Sequence, residues 1–182
     1  MKWQPIPLSA AALAATASVT PIYASAKIYV SAEQAQKILF PNAVLMATPI
    51  VVSDAVQKEM TKVSSVRHPF RGERVWRSND GSWLIIDEVV GKHEMITYAV
   101  AIKADGSVKG IEVLEYVESY GHEVAEANWR HQFVGKQVTD AIKLGSDIQN
   151  ISGATLSCKH LTDGVKRLLV LHQLVLKNMA SK

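Results

Sequence analysis

Four consecutive residues, Ser152-Gly153-Ala154-Thr155, set two hydroxyls around two small residues where a polar stretch gives way to a long apolar-periodic run. Ser152 stands where an N-cap would, its oxygen available to an amide two or three residues on. Gly153 and Ala154 keep bulk out of the first turn. A helix start carries unsatisfied N–H donors and about half a positive charge. That combination suits a phosphate, with Thr155 presenting its hydroxyl in the same turn. On these residues alone two readings stand: a capped helix that binds nothing, and a capped helix that holds an anion.

Other chemistry finds less in the chain. A serine hydrolase of the nucleophile-elbow type needs Gly-x-Ser-x-Gly after a strand, and neither the motif nor that context occurs here. His122 and His131, and the pair Cys158-x-His160, lack zinc spacing. A single cysteine builds neither a structural zinc site by itself nor a c-type haem attachment. No metal site is therefore expected. Cys158 falls three residues after Thr155 on the same helical face and reads as a small core residue. His172 lies on the apolar stripe of the last helix and reads as a core histidine. Lys136, following Gly135, reads as a solvated lysine, with a phosphate contact as the alternative.

The elements that must position these residues change period along the chain. "SWLIIDEVVG", "EMITYAVAIK" and "SVKGIEVLEY" are apolar, β-branched runs of strand length, separated by Gly91-Lys92-His93 and Ala104-Asp105-Gly106. Asp-Gly favours a tight hairpin, so the three runs predict an antiparallel meander with its middle strand most buried. "SAEQAQKILFP" predicts a helix capped by Ser31 and stopped by Pro41. "DAVQKEMTKVS" and "EVAEANWRHQF" predict two more short helices. "VRHPFRGERVWRSNDG" reads as an irregular stretch or short edge strand. From Leu156 to Leu176 the apolar residues Leu161, Val165, Leu168, Leu169, His172 and Val175 share one face. The expected class is α+β: an antiparallel meander flanked by helices, with a long C-terminal helix opening at the Ser-Gly-Ala-Thr motif.

The 182 residues carry a formal charge of +3, 48% hydrophobic and 20% charged residues, and no basic stripe. That excludes no fold but gives no footprint for nucleic acid. Residues 1–26 hold Lys2, no acid, an Ala-rich apolar centre and Ala24-Ser25-Ala26, the pattern of a signal peptide cleaved near Ala26. A single domain over 27–182 and a periplasmic location are the expectation.

"SGATLS" followed by "LTDGVKRLL" resembles the flavinylation motif of the FMN-binding domain family. That family includes periplasmic subunits of sodium-pumping NADH:quinone oxidoreductase and of Rnf-type complexes. Its motif runs roughly Asp-x-x-Ser-Gly-Ala-Thr-x-Ser, with FMN joined to the threonine through a phosphoester by a flavin transferase. The resemblance is strongest over residues 83–176. It implies Thr155 as the attachment residue, with Ser152, Gly153, Ala154 and Ser157 completing the motif. It also implies that Glu118, Ser119, Tyr120 and Gly121 form a loop beside the flavin ring. One position departs: Gln149 stands where the family has an acid, and Asp147 lies two residues earlier. The implied function is a periplasmic electron carrier between a membrane-bound or periplasmic redox partner and a second one. The alternatives are an exported non-redox module for an anionic ligand, and a flavin-dependent reductase with its own small-molecule acceptor.

Overall fold

A computed structural model describes residues 27–118 and 120–179 of the chain. The expected signal peptide and Ser119 lie outside the described residues.

The meander forms where the three apolar, β-branched runs placed it. Strands β4 (Trp83–Val90), β5 (Met95–Ile102) and β6 (Val108–Tyr116) pair antiparallel in sequence order. Three shorter strands extend the sheet: β1 (Lys27–Ile28), β2 (Leu45–Ala47) and β3 (Val75–Ser78). The spatial order is β1-β6-β5-β4-β3-β2. The segment expected as irregular chain or an edge strand therefore supplies an interior strand, because β2 pairs outside it. At two and three residues, β1 and β2 are too short to show an alternating pattern.

Both sheet faces are covered. Ser31 caps α1 (Ala32–Leu39) in a full capping box with Gln34, and Ser53 caps α2 (Asp54–Lys62). Helix α1 lays Ala35 and Leu39 over Leu84, Ile86, Ala99, Ala101 and Leu114. Gly110 on β6 allows the approach, since a Cβ there would lie 2.8 Å from Leu39 Cδ2. The other face carries the main core. There Ile85, Val89, Tyr98, Val100 and Ile111 meet Leu161, Val165, Leu168 and Leu169 of α4 (Thr155–Leu171).

A buried ion pair fixes α4 to β4. Arg167 donates from Nε to Asp87 Oδ2 at 2.8 Å and from a terminal nitrogen to Oδ1 at 2.6 Å; the two residues are 2% and 6% exposed. The Tyr98 hydroxyl adds a third donor to Asp87 at 2.7 Å. Gly164 makes room for that ring, since a Cβ would sit 2.4 Å from the Tyr98 hydroxyl. The last helix continues past α4 through a π-turn (His172–Leu176) into Lys177–Met179. Between β6 and α4 run a 3-10 turn (His122–Ala125) and α3 (Ala127–His131).

Candidate functional site

The start of α4 differs from the cap expected of Ser152. Gly153 adopts φ +83°, a left-handed turn that breaks the helix before Ala154, so α4 begins at Thr155 with Ala154 as N-cap. Ser152 lies exposed one residue before that break and caps nothing. Alanine has no side-chain acceptor, and the first intrahelical bond runs from the Cys158 amide to the Ala154 carbonyl at 3.0 Å. The amides of Thr155, Leu156 and Ser157 are left without intrahelical acceptors. Asn150 donates from Nδ2 to Thr155 Oγ1 at 3.1 Å. This contact orients the exposed hydroxyl and leaves its own hydrogen unconstrained.

A cleft of about 440 Å³ opens at this helix start, lined by Lys92, His93, Glu118, Tyr120 and residues 153–157. Its volume lies within the roughly 300–1,000 Å³ common to small-molecule sites. The fold thus brings together Thr155, Gly153, Ala154, Ser157, Glu118 and Tyr120 at one cleft. Ser152 is not among the lining residues.

The loop after β6 is held against the helix start by one tyrosine. The Tyr116 hydroxyl donates to the Tyr120 carbonyl and lies 3.0 Å from Ser157 Oγ. Its single hydrogen is committed to Tyr120, so the buried Ser157 hydroxyl donates to Tyr116. Burial pushes the Tyr116 phenol up, keeping it a donor. Gly121, at φ +90°, packs so close that a Cβ would lie 2.5 Å from the Ala154 Cβ and 2.6 Å from the Tyr116 hydroxyl. The Tyr120 side chain is 80% exposed at the cleft mouth.

Glu118 lines the cleft with its carboxylate bound to the neighbouring turn. Its carboxylate accepts from the His93 amide, and from the Glu94 amide at 3.0 Å, within the β4–β5 turn. Burial opposes its ionisation, but the amides of His93, Glu94 and Lys92 prevail and hold the carboxyl below the usual range. From the helix side, His160 Nδ1 donates to the carbonyls of Val90 at 2.5 Å and Gly91 at 3.1 Å. These contacts bring Lys92 and His93 into the cleft wall, where local sequence showed only a turn. Their relation to Thr155 is a long-range consequence of the sheet, and no local signal announces it.

The stretch before the motif has its own anchors. Trp129 Nε1 donates to the Gln149 carbonyl at 2.8 Å, and the Gln149 amide donates to Gln132 Oε1 at 2.7 Å. Asp147 pairs with Lys136 at 3.2 Å and accepts from the Lys143 amide at 2.5 Å. Neither Asp147 nor Lys136 lines the cleft. Cys158 is fully buried in the main core, and burial pushes its thiol up.

A second cleft of about 450 Å³ lies along His68, Phe70, Arg71, Arg74 and Glu88. Its Arg74 and Glu88 already pair with each other at 2.5 Å, and no helix start opens into it. Among the described residues no group of His, Cys, Asp or Glu is arranged to hold a metal ion, and no helix is long and apolar enough to cross a membrane.

Comparison with known proteins converges on the same region. Residues 91–170 match the FMN-binding domain family, a stretch that contains every residue lining the cleft at Thr155. No curated protein matches the chain by sequence. Among solved structures, NqrC of Shewanella oneidensis is similar at 22% identity and TM-score 0.54, over 80% of this chain and 87% of that one. That likeness is one of fold.

Proposed function

We propose, from the match of residues 91–170 to the FMN-binding domain family, that the chain is an exported electron carrier bearing FMN in a phosphoester on Thr155. The observation that supports this most is the exposed Thr155 hydroxyl in the uncapped first turn of α4, on the lip of a cleft. The residues present fit the group. Free first-turn amides and the helix dipole suit its phosphate. Gly153 adds no bulk, since a Cβ there would meet no atom within 4 Å.

FMN, when bound, supplies a reversible redox ring; the protein positions that ring and sets its surroundings. Asn150 holds Thr155 Oγ1 from the donor side, so attachment displaces only the hydroxyl's own proton. Ser157 and Tyr116 keep the Glu118–Gly121 loop against the helix start. Tyr120 lines the cleft with its ring exposed and would be available to pack against a bound flavin. Maturation in this reading requires a flavin transferase. Electrons then pass between a membrane reductase and another redox partner on the periplasmic side.

The test is coexpression of the exported protein with a flavin transferase, followed by denaturing electrophoresis and intact mass. In-gel flavin fluorescence and a mass increase of one FMN are expected, lost in Thr155→Val and kept in Ser157→Ala. Adduct on the Val variant would move the attachment elsewhere. Flavin released by denaturation would replace the covalent link with reversible binding.

A further inference from the structure

The β4–β5 turn stands across the cleft from the attachment hydroxyl, and it is fixed with more contacts than a solvent-exposed turn needs. Gly91 N donates to the Glu94 carbonyl at 2.6 Å, closing the turn. Glu118 accepts from two amides inside it. His160, five residues beyond Thr155 on the same helix, donates to two carbonyls at its entry. Gly91 is the residue that admits Glu118, since a Cβ there would lie 2.6 Å from Glu118 Oε1.

The side chains this turn presents are Lys92 and His93, both lining the cleft. Neither has an ion-pair partner among the described residues. The one carboxylate lining the cleft, Glu118, is occupied by backbone amides. Lys92 thus brings a cation to the cleft wall, while the Glu118 charge is held at the turn amides.

Resting on the FMN reading above, we propose that this turn tunes the flavin: Lys92 and His93 favour the reduced ring and raise its midpoint potential, and Glu118 is the positioning residue that sets the turn. Reduction adds negative charge to the flavin, and the exposed Lys92 ammonium beside the cleft favours that charge. Charge near the ring nitrogens is a recognised means by which proteins shift flavin electronics. The Glu118 carboxylate acts through the amides it holds and does not touch the ring.

Spectroelectrochemical titration of the FMN-loaded protein tests this, with flavin content and melting temperature measured alongside. Lys92→Gln should move the midpoint potential to more negative values at unchanged flavin content, and Lys92→Arg should restore it. His93→Gln should shift it in the same direction. Glu118→Gln should also move it negative with Lys92 intact, against the positive shift that loss of the carboxylate charge alone gives. A positive shift there overturns the positioning role of Glu118. An unchanged potential in Lys92→Gln overturns the proposal. So does loss of flavin in that variant without a shift in what remains, which would assign Lys92 to the phosphate. A wild-type protein that takes up no flavin overturns the functional reading itself, and is recognised by the absence of any titrating chromophore.

Discussion

Replacing Gly121 with alanine separates the cleft's packing from the rest of the fold. At φ +90° the residue is in left-handed backbone, which costs a non-glycine residue about 1–2 kcal/mol. The new methyl would also lie 2.5 Å from the Ala154 Cβ and 2.6 Å from the Tyr116 hydroxyl, and both neighbours are buried. Overpacking of this kind costs roughly 1–3 kcal/mol. Moving Tyr116 strains its bonds to Tyr120 and Ser157, each contributing about 1 kcal/mol. A loss of about 3–5 kcal/mol follows, which leaves a typical domain folded. For a chain of this size it lowers the melting temperature by about 6–20 °C. Gly153→Ala is the control, with φ +83° and no atom within 4 Å of a new Cβ, so it incurs the backbone cost alone. Thermal melting and flavin content of both variants are the readouts. Gly121→Ala should melt well below Gly153→Ala and load less FMN, because the displaced loop carries Tyr120 with it. Equal melting temperatures would refute the claim that the loop is wedged against the helix start.

Two further outcomes follow from buried ionisable groups. Arg167→Met leaves Asp87 buried without its cation and should destabilise by about 3–5 kcal/mol in urea unfolding, with Asp87→Leu/Arg167→Met recovering much of the loss. Burial holds the His172 imidazole below its ordinary pKa, and its Nε2 has no hydrogen-bond partner among the described residues. The folded protein thus keeps it neutral where the unfolded chain protonates. Stability should decline as pH falls from about 6.5 toward the lowered folded value, and His172→Phe should flatten that part of the urea-stability profile.

The meander was legible because three apolar, β-branched runs of strand length are separated by short glycine-containing turns. Helix α1 was legible from Ser31 and Pro41. Ser152 misled for a local reason: a hydroxyl followed by Gly-Ala looks like a cap, but Gly153 took the left-handed turn and moved the start to Thr155. The motif and its loop were recognised by resemblance, and the fold places Glu118 and Tyr120 at the same cleft as Thr155. Lys92, His93 and His160 escaped because their roles depend on residues 25 to 70 positions away. Asn150 lies only five residues before Thr155, yet its contact requires the chain reversal at Gly153.

The ion pair between Arg167 and Asp87 also acts mechanically. Arg167 lies twelve residues beyond Thr155, about 18 Å along the axis. The helix is held to the sheet at that point and again near its start through His160 and Ser157, where Thr155 stands. A tilt of about 3° at the ion pair sweeps that start through about 1 Å, a displacement large enough to matter in a reactive site. Substitutions at Arg167, Asp87, Tyr98 or Gly164 therefore re-aim Thr155 while touching nothing in the cleft. The direction of the Thr155 hydroxyl thus depends on this distant ion pair as well as on the motif itself.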